Sequence, residues 1–161
     1  MSFTPSDKIG RLSDAETAAF LAEPWNARIA TTTPEGWPYV TPVWYDYEAE
    51  RRTFLVIGRQ HAEWVAYVKR DPKVALLIAD DLHAEHTRVN VLGLAEMIDG
   101  PVAPADHPQL ATTVERMALR YLGPNGPAYA KLTADRPRVV IRITPTRWRS
   151  WTGREWHRRY R

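Results

Sequence analysis

Apolar residues recur along this chain with two periods, one of two residues and one near 3.6, and the switches between them lay out the elements. Ser13-Asp14-Ala15-Glu16 is a capping box, in which the serine and glutamate side chains satisfy backbone N–H groups reciprocally. Ala18, Ala19, Leu21 and Ala22 follow at helical spacing, and Pro24 ends a helix predicted over 14–23. Residues 26–33 then alternate and are β-branched, Pro34-Glu35-Gly36 supplies a turn, and 38–47 returns as a second strand. Pro42 has no N–H to give a ladder, so that strand is expected at an edge or bulged there. After a turn at Glu50-Arg51-Arg52, residues 53–57 read as a third strand.

Trp64, Val65 and Val68 share one side of a short amphipathic helix over 61–70. Asp71-Pro72 ends it, because a residue before proline is pushed out of the helical region. Residues 74–78 are continuously apolar, as for a strand buried on both faces. A polar loop over 80–86 precedes a long strand over 87–98, with Gly93 at its middle, where a barrel strand coils or bulges. Residues 106–121 are helical in pattern, Gly123-Pro124-Asn125-Gly126-Pro127 breaks the chain before a short helix, and 138–144 alternates as the last strand, extended by 148–151. The expected fold is mainly β with peripheral helices. Six strands, mostly antiparallel from their short connections, suggest a small closed barrel.

Composition narrows the function. The 161 residues suit a single domain, with 1–12 and 153–161 expected as flexible tails. No cysteine is present, which excludes disulfides, thiolate catalysis and cysteine-based metal sites. The first ten residues are polar and hold no apolar run, so neither signal peptide nor membrane span is expected and the cytoplasm is the expected compartment. The net charge of +3 is local: residues 147–161 carry six arginines against Glu155, and removing that +5 leaves −2 for the rest. A basic tail without a basic surface argues against general nucleic-acid binding, although its aromatic-basic mix keeps a tail-borne nucleic-acid reading as a lesser alternative.

Candidate chemistry gathers at the junction of the third strand and the short helix. A helix N-terminus leaves backbone N–H groups unpaired, and with Arg59, Gln60 and His61 beside it the junction can clamp a phosphate; the competing reading is a solvated loop. His83-Ala84-Glu85-His86 lacks a visible third ligand, so no metal is expected. Glu63 and Asp80-Asp81 read as helix-end charge and loop solvation in preference to general acids. No serine–histidine–acid arrangement and no glycine-rich nucleotide loop is present.

The order and spacing of Ile29-Ala30-Thr31, Glu35-Gly36, Pro38-Tyr39-Val40-Thr41-Pro42-Val43-Trp44, Arg59 with Trp64, Lys69-Arg70-Asp71-Pro72-Lys73-Val74 and Arg88-Val89 with Gly93 carry a likeness. Over residues 11–151 the chain resembles the pyridoxamine-5′-phosphate-oxidase-like family of flavin-binding split barrels. The resemblance implies a six-stranded antiparallel split β-barrel and a homodimer. It further implies a groove at the subunit interface that binds flavin mononucleotide (FMN) or, in one branch, the deazaflavin coenzyme F-420. On this chain it sets the backbone of Val40, Thr41, Pro42, Val43 and Trp44 against the flavin ring and Arg59, Gln60 and His61 on the phosphate, with Trp64 packed beside it. Arg88 would reach in from the long strand, and Trp148 with Trp151 would close the pocket, in one chain or across the dimer.

Two departures qualify the likeness. The deazaflavin branch usually carries a lysine in the short helix where Trp64 stands here, which favours FMN over F-420. Pyridoxamine-phosphate oxidase itself ends in a Trp-x-Gly…Arg-Leu-His-x-Arg segment. Here the end reads Trp151-Thr152-Gly153-Arg154-Glu155-Trp156-His157-Arg158-Arg159, shorter in spacing and with Trp156 for leucine, which argues against vitamin B6 oxidation. The implied activity is an FMN-dependent oxidoreductase passing hydride or electrons to or from a small organic substrate, with no acid–base residue assigned. An F-420-dependent reductase of the same fold is the alternative, and a non-catalytic flavin- or haem-binding sensor is the alternative outside enzymes.

Overall fold

The structure is a computed structural model, and residues 8–154 are described. Among the described residues seven antiparallel strands form one sheet in the order β2-β1-β5-β6-β7-β4-β3. They are β1 (Ala27–Thr32), β2 (Pro38–Val43), β3 (Tyr45–Glu48), β4 (Thr53–Arg59), β5 (Lys73–Ala79), β6 (Arg88–Val102) and β7 (Arg138–Trp151). Four helices accompany them: α1 (Asp14–Ala22), α2 (Glu63–Arg70), α3 (Pro108–Leu122) and α4 (Gly126–Leu132).

The count of seven corrects the expected six, and the reason is local. The strand expected over 38–47 divides at Trp44, with β2 pairing only with β1 and β3 only with β4. β2 and β3 are the two edges of the sheet, so one residue of chain joins edge to edge where a ladder would otherwise be needed. Pro42 sits on the edge strand β2, a position that tolerates a missing N–H. The long strands run further than the pattern suggested, and β6 shifts register at Leu92/Gly93, where the glycine was expected to bulge. A side chain at Gly93 would bring its Cβ to 2.8 Å from the Thr144 carbonyl oxygen.

Successive residues of a strand face opposite ways, and β4 is buried on both faces. Phe54 and Val56 point into the barrel with Ile29, Tyr45, Leu76, Ile141 and Ile143, under Phe20 and Leu21 of α1. Leu55 and Ile57 point outward, where α3 and α4 cover them with Leu110, Val114, Met117 and Ala130 to form a second core with Val140 of β7. The capping box at Ser13 is present, and α2 ends at Asp71 before Pro72. Gly10 and Thr152 exchange two backbone hydrogen bonds of 2.8 Å, Leu12 is buried, and the Gly153 N–H donates to the Glu85 carbonyl. The rest of both expected tails, 1–7 and 155–161, lies outside the described residues. Among the described residues no helix is long and apolar enough to cross a membrane.

The break at Trp44 leaves the backbone of Tyr45 facing away from β4, and Tyr121 of α3 answers it. Its hydroxyl accepts from the Tyr45 N–H at 3.0 Å and shares its proton between the Tyr45 and Trp25 carbonyls, each at 3.1 Å. Arg120 beside it donates to the Leu21 and Glu23 carbonyls at the end of α1, pairs with Asp46 and lies 4.8 Å from the Tyr45 ring centroid. Tyr121→Phe strips the break of its hydroxyl and leaves those backbone groups without their partner. We expect a loss of about 1–3 kcal/mol in urea unfolding; an unchanged midpoint would show that the break does not depend on it.

Candidate functional site

At the break, the edge of the barrel, the start of α2 and the α3–α4 pair enclose a cavity of about 430 Å³. That lies within the roughly 300–1,000 Å³ range of small-molecule sites. Asn26, Pro42, Val43 and Trp44 line one side, Ile57, Gly58 and Arg59 of β4 a second, Ala62 and Trp64 of α2 a third. Val114, Met117 and Tyr129 of α3 and α4, with Arg138 of β7, complete it. Trp44 is stacked on Tyr121 at 5.1 Å with 4° between the planes, and meets Tyr129 edge-on at 5.5 Å. The indole is thus held as a flat plate by rings from both covering helices. Gly58 is required for α2 to sit so close: a Cβ there would fall 2.4 Å from Val65 Cγ2 and 2.8 Å from Trp64 Cζ2.

One end of the cavity is cationic. Arg59 and Arg138 are directly paired across β4 and β7, and the Tyr129 phenol lies beside both. Burial pushes the phenol up, but hydrogen bonding from Arg59 and Arg138 and their charges more than offset it, so its pKa falls below the usual tyrosine value. Burial lowers the Arg138 pKa, only partly countered by Tyr129. Arg138 Nη2 donates to Thr133 Oγ1, and its Nε is buried with no hydrogen-bond partner.

Five of the residues singled out from sequence meet here: Pro42, Val43, Trp44, Arg59 and Trp64. Val40 lies on the same edge strand with its side chain exposed, and Thr41 between them is half-buried on the other face. Gln60 and His61 are exposed and outside the lining, the Gln60 N–H donating to the Pro137 carbonyl. Arg88 and Trp148 are not brought to the cavity within one chain. Arg88 starts β6 beside Trp151, with its guanidinium 5.9 Å from that ring, and Trp148 packs on Phe54 at 5.6 Å. Trp148 is ten residues along β7 from Arg138, on the order of 33 Å at strand rise. His83 is engaged with Asp80 at 2.6 Å and Glu85 with Arg154, and among the described residues no cluster of three or more His, Cys, Asp or Glu could hold a metal.

Sequence reasoning passed over Tyr129 and Arg138. Tyr129 sits in a short helix after a proline-glycine break, and Arg138 read only as the first residue of a strand. Their one signal is that Arg138 opens a strand whose next three residues, Val139-Val140-Ile141, are apolar.

The profile of the pyridoxamine 5′-phosphate oxidase family matches residues 13–152. The chain belongs to this family, and its barrel is of the corresponding split-barrel type. Among solved structures, a conserved hypothetical protein from Mycobacterium tuberculosis is similar at 25% identity and a TM-score of 0.67, over 92% of this chain and 90% of that one. An F420 reductase is similar at 27% identity and 0.59, over 81% and 93%. A FAD-binding protein from Mesorhizobium loti shares the fold at 17% identity and 0.62, over 90% and 96%. No curated protein matches the sequence.

The Tyr129 environment gives a direct check. Its folded pKa lies below its unfolded one, so ionising it favours the folded state. That contribution grows as pH rises through the folded pKa and is complete above the unfolded value near 10. Burial pushes Tyr121 up to about 12. Titration of phenolate absorbance should therefore show an early component that Tyr129→Phe removes. An unchanged early phase in that variant would place the two guanidinium groups elsewhere.

Proposed function

We propose that this cavity holds FMN and that the protein is a cytoplasmic oxidoreductase moving hydride or electron pairs between the flavin and a small organic substrate. The observation that carries the reading is the cavity's polarity: a flat aromatic wall at Trp44 leads to the paired guanidinium groups of Arg59 and Arg138. A planar ring with an anionic tail needs those two features in that order. The residues fit the group: Pro42–Trp44 and Ile57 offer backbone and apolar surface to the ring, and Arg59 and Arg138 offer charge to the phosphate. Redox chemistry at the ring is the cofactor's own; the protein binds it, orients it and sets its surroundings.

The same reading accommodates Arg88 and Trp148. Both stand away from the cavity of their own chain, and in a homodimer they would line the groove of the other copy. Trp37, just before β2, and Val40 on it are 71% and 61% exposed, apolar surface that such a partner would cover.

The coenzyme F-420 is the second reading, and the 27% identical F420 reductase favours it. Against it stands Trp64, buried at 7% exposure, which offers no charge at the helix position where the deazaflavin branch usually has lysine. A haem- or flavin-binding sensor using the same cavity is separated from an enzyme by turnover.

Titration of the cofactor-stripped protein with FMN and with F-420, followed by fluorescence, should give tight binding of FMN and weaker binding of F-420. Arg59→Ala should weaken FMN binding by about 1–3 kcal/mol, the value of a charge-assisted hydrogen bond. Preference for F-420 would reverse the cofactor assignment, and binding of neither would end the oxidoreductase reading.

A further inference from the structure

Arg59 and Arg138 are an anomaly of the fold before they are anything else. They are directly opposite on antiparallel strands, so both side chains leave the same face with Cβ atoms roughly 5 Å apart. The next pairs on that face are Ile57 with Val140 and Leu55 with Arg142, which makes the two arginines the cationic end of a strip covered by α3 and α4. Like charges so placed destabilise a sheet. Arg138 is only 6% exposed, and burial penalises its cation.

Two half-buried arginines, Arg142 and Arg120, have a carboxylate. Arg142, four residues further along β7, pairs with Glu48 at 3.2 Å, and Arg120 pairs with Asp46 at 3.3 Å. Among the described residues none of the ion pairs involves Arg59 or Arg138. What supports Arg138 is neutral: Thr133 Oγ1 accepts one of its N–H groups, and the Tyr129 ring centroid lies 5.8 Å from the guanidinium. These groups orient the fork without cancelling its charge, and Nε remains without a partner. The buried guanidinium of Arg138, beside half-buried Arg59 and without a carboxylate, is costly in the empty protein where it opens on the cavity. An incoming anion removes that cost.

We propose that Arg138, with Arg59 and Tyr129, forms a seat for an oxyanion group of a bound ligand, a phosphate or a carboxylate. Two planar forks can donate in parallel to such a group, and the Tyr129 hydroxyl adds a third donor. Arg138 is then a ligand-binding residue and Thr133 its positioning residue. The seat deepens the reading of this cavity as a cofactor site and rests on it for the ligand's identity, but not for the charge arrangement.

The test uses the full chain, stripped of cofactor, at constant ionic strength. Inorganic phosphate is titrated against tryptophan fluorescence, which reports through Trp44 and Trp64, and FMN and riboflavin are titrated in parallel. Arg138→Gln should weaken phosphate binding tenfold or more and leave riboflavin binding unchanged. Arg138→Lys, which keeps charge but loses the fork, should fall between. Should the glutamine variant fail to fold, Arg138→Lys and Arg59→Gln carry the comparison. If the advantage of FMN over riboflavin collapses in the Arg138 variants, the seat takes the cofactor's phosphate. If that advantage persists while phosphate binding is lost, the seat takes an anionic group of the second reactant. Phosphate binding of equal strength in the natural protein and both Arg138 variants, or no phosphate binding at all, would overturn the proposal. Arg138-dependent phosphate binding in a protein that takes neither FMN nor F-420 would keep the seat and remove the flavin reading.

Discussion

A strand that leaves one edge of a sheet to join the other must give up pairing somewhere, and here it does so at one residue. The Tyr121 hydroxyl answers that break, serving the N–H and carbonyl of Tyr45 and the carbonyl of Trp25 at once. Much else follows from it. The contact fixes α3 to the barrel, Arg120 in the next position ties the same spot to the end of α1, and the Tyr121 ring carries Trp44 as a stacked plate. The groove is thus bounded by the structure that closes the barrel, which is why the break and the cavity coincide.

Charge placement separates what stabilises from what binds. Asp46 and Glu48, both on β3, neutralise arginines from α3 and β7 and hold the covering helices and strands together. The Arg59–Arg138 pair has no such acid, sits where two cations repel, and faces the cavity. Half-buried Arg120 and Arg142 each have a carboxylate, and on the proposed reading Arg138, which has none, is reserved for a ligand. On the proposed reading the aromatic wall and the cationic end are two halves of one recognition surface.

Much of this was legible in the sequence because it is governed by local rules. Period-two patterning placed the strands, the Ser13 capping box and Asp71-Pro72 bounded helices, and Gly93 marked the irregularity in β6. The junction at Arg59 and the edge at Pro42 also followed from local chemistry. The division at Trp44 did not, because no glycine or proline marks it; the partner that allows it lies 77 residues away in α3. Arg138 and Tyr129 were hidden for the same reason. Their role comes from the cross-strand register and from the packing of α4, neither of which has a local signature. Arg88 and Trp148 show the converse: motif order grouped them with the groove, while the strand geometry of one chain holds them at a distance from it.

Family membership fixes the barrel and leaves the ligand to the side chains, since similar frames carry F420-reducing and FAD-binding proteins alike. The proposal that a flavin sits in the cavity between the β2–β3 break and α3–α4 is a claim about place. A crystal structure of the protein grown with FMN tests it most directly. The account predicts the ring against Pro42, Val43 and Trp44 with Arg59 at its anionic end. A ring bound on another face of the barrel, with this cavity holding only solvent, would contradict it.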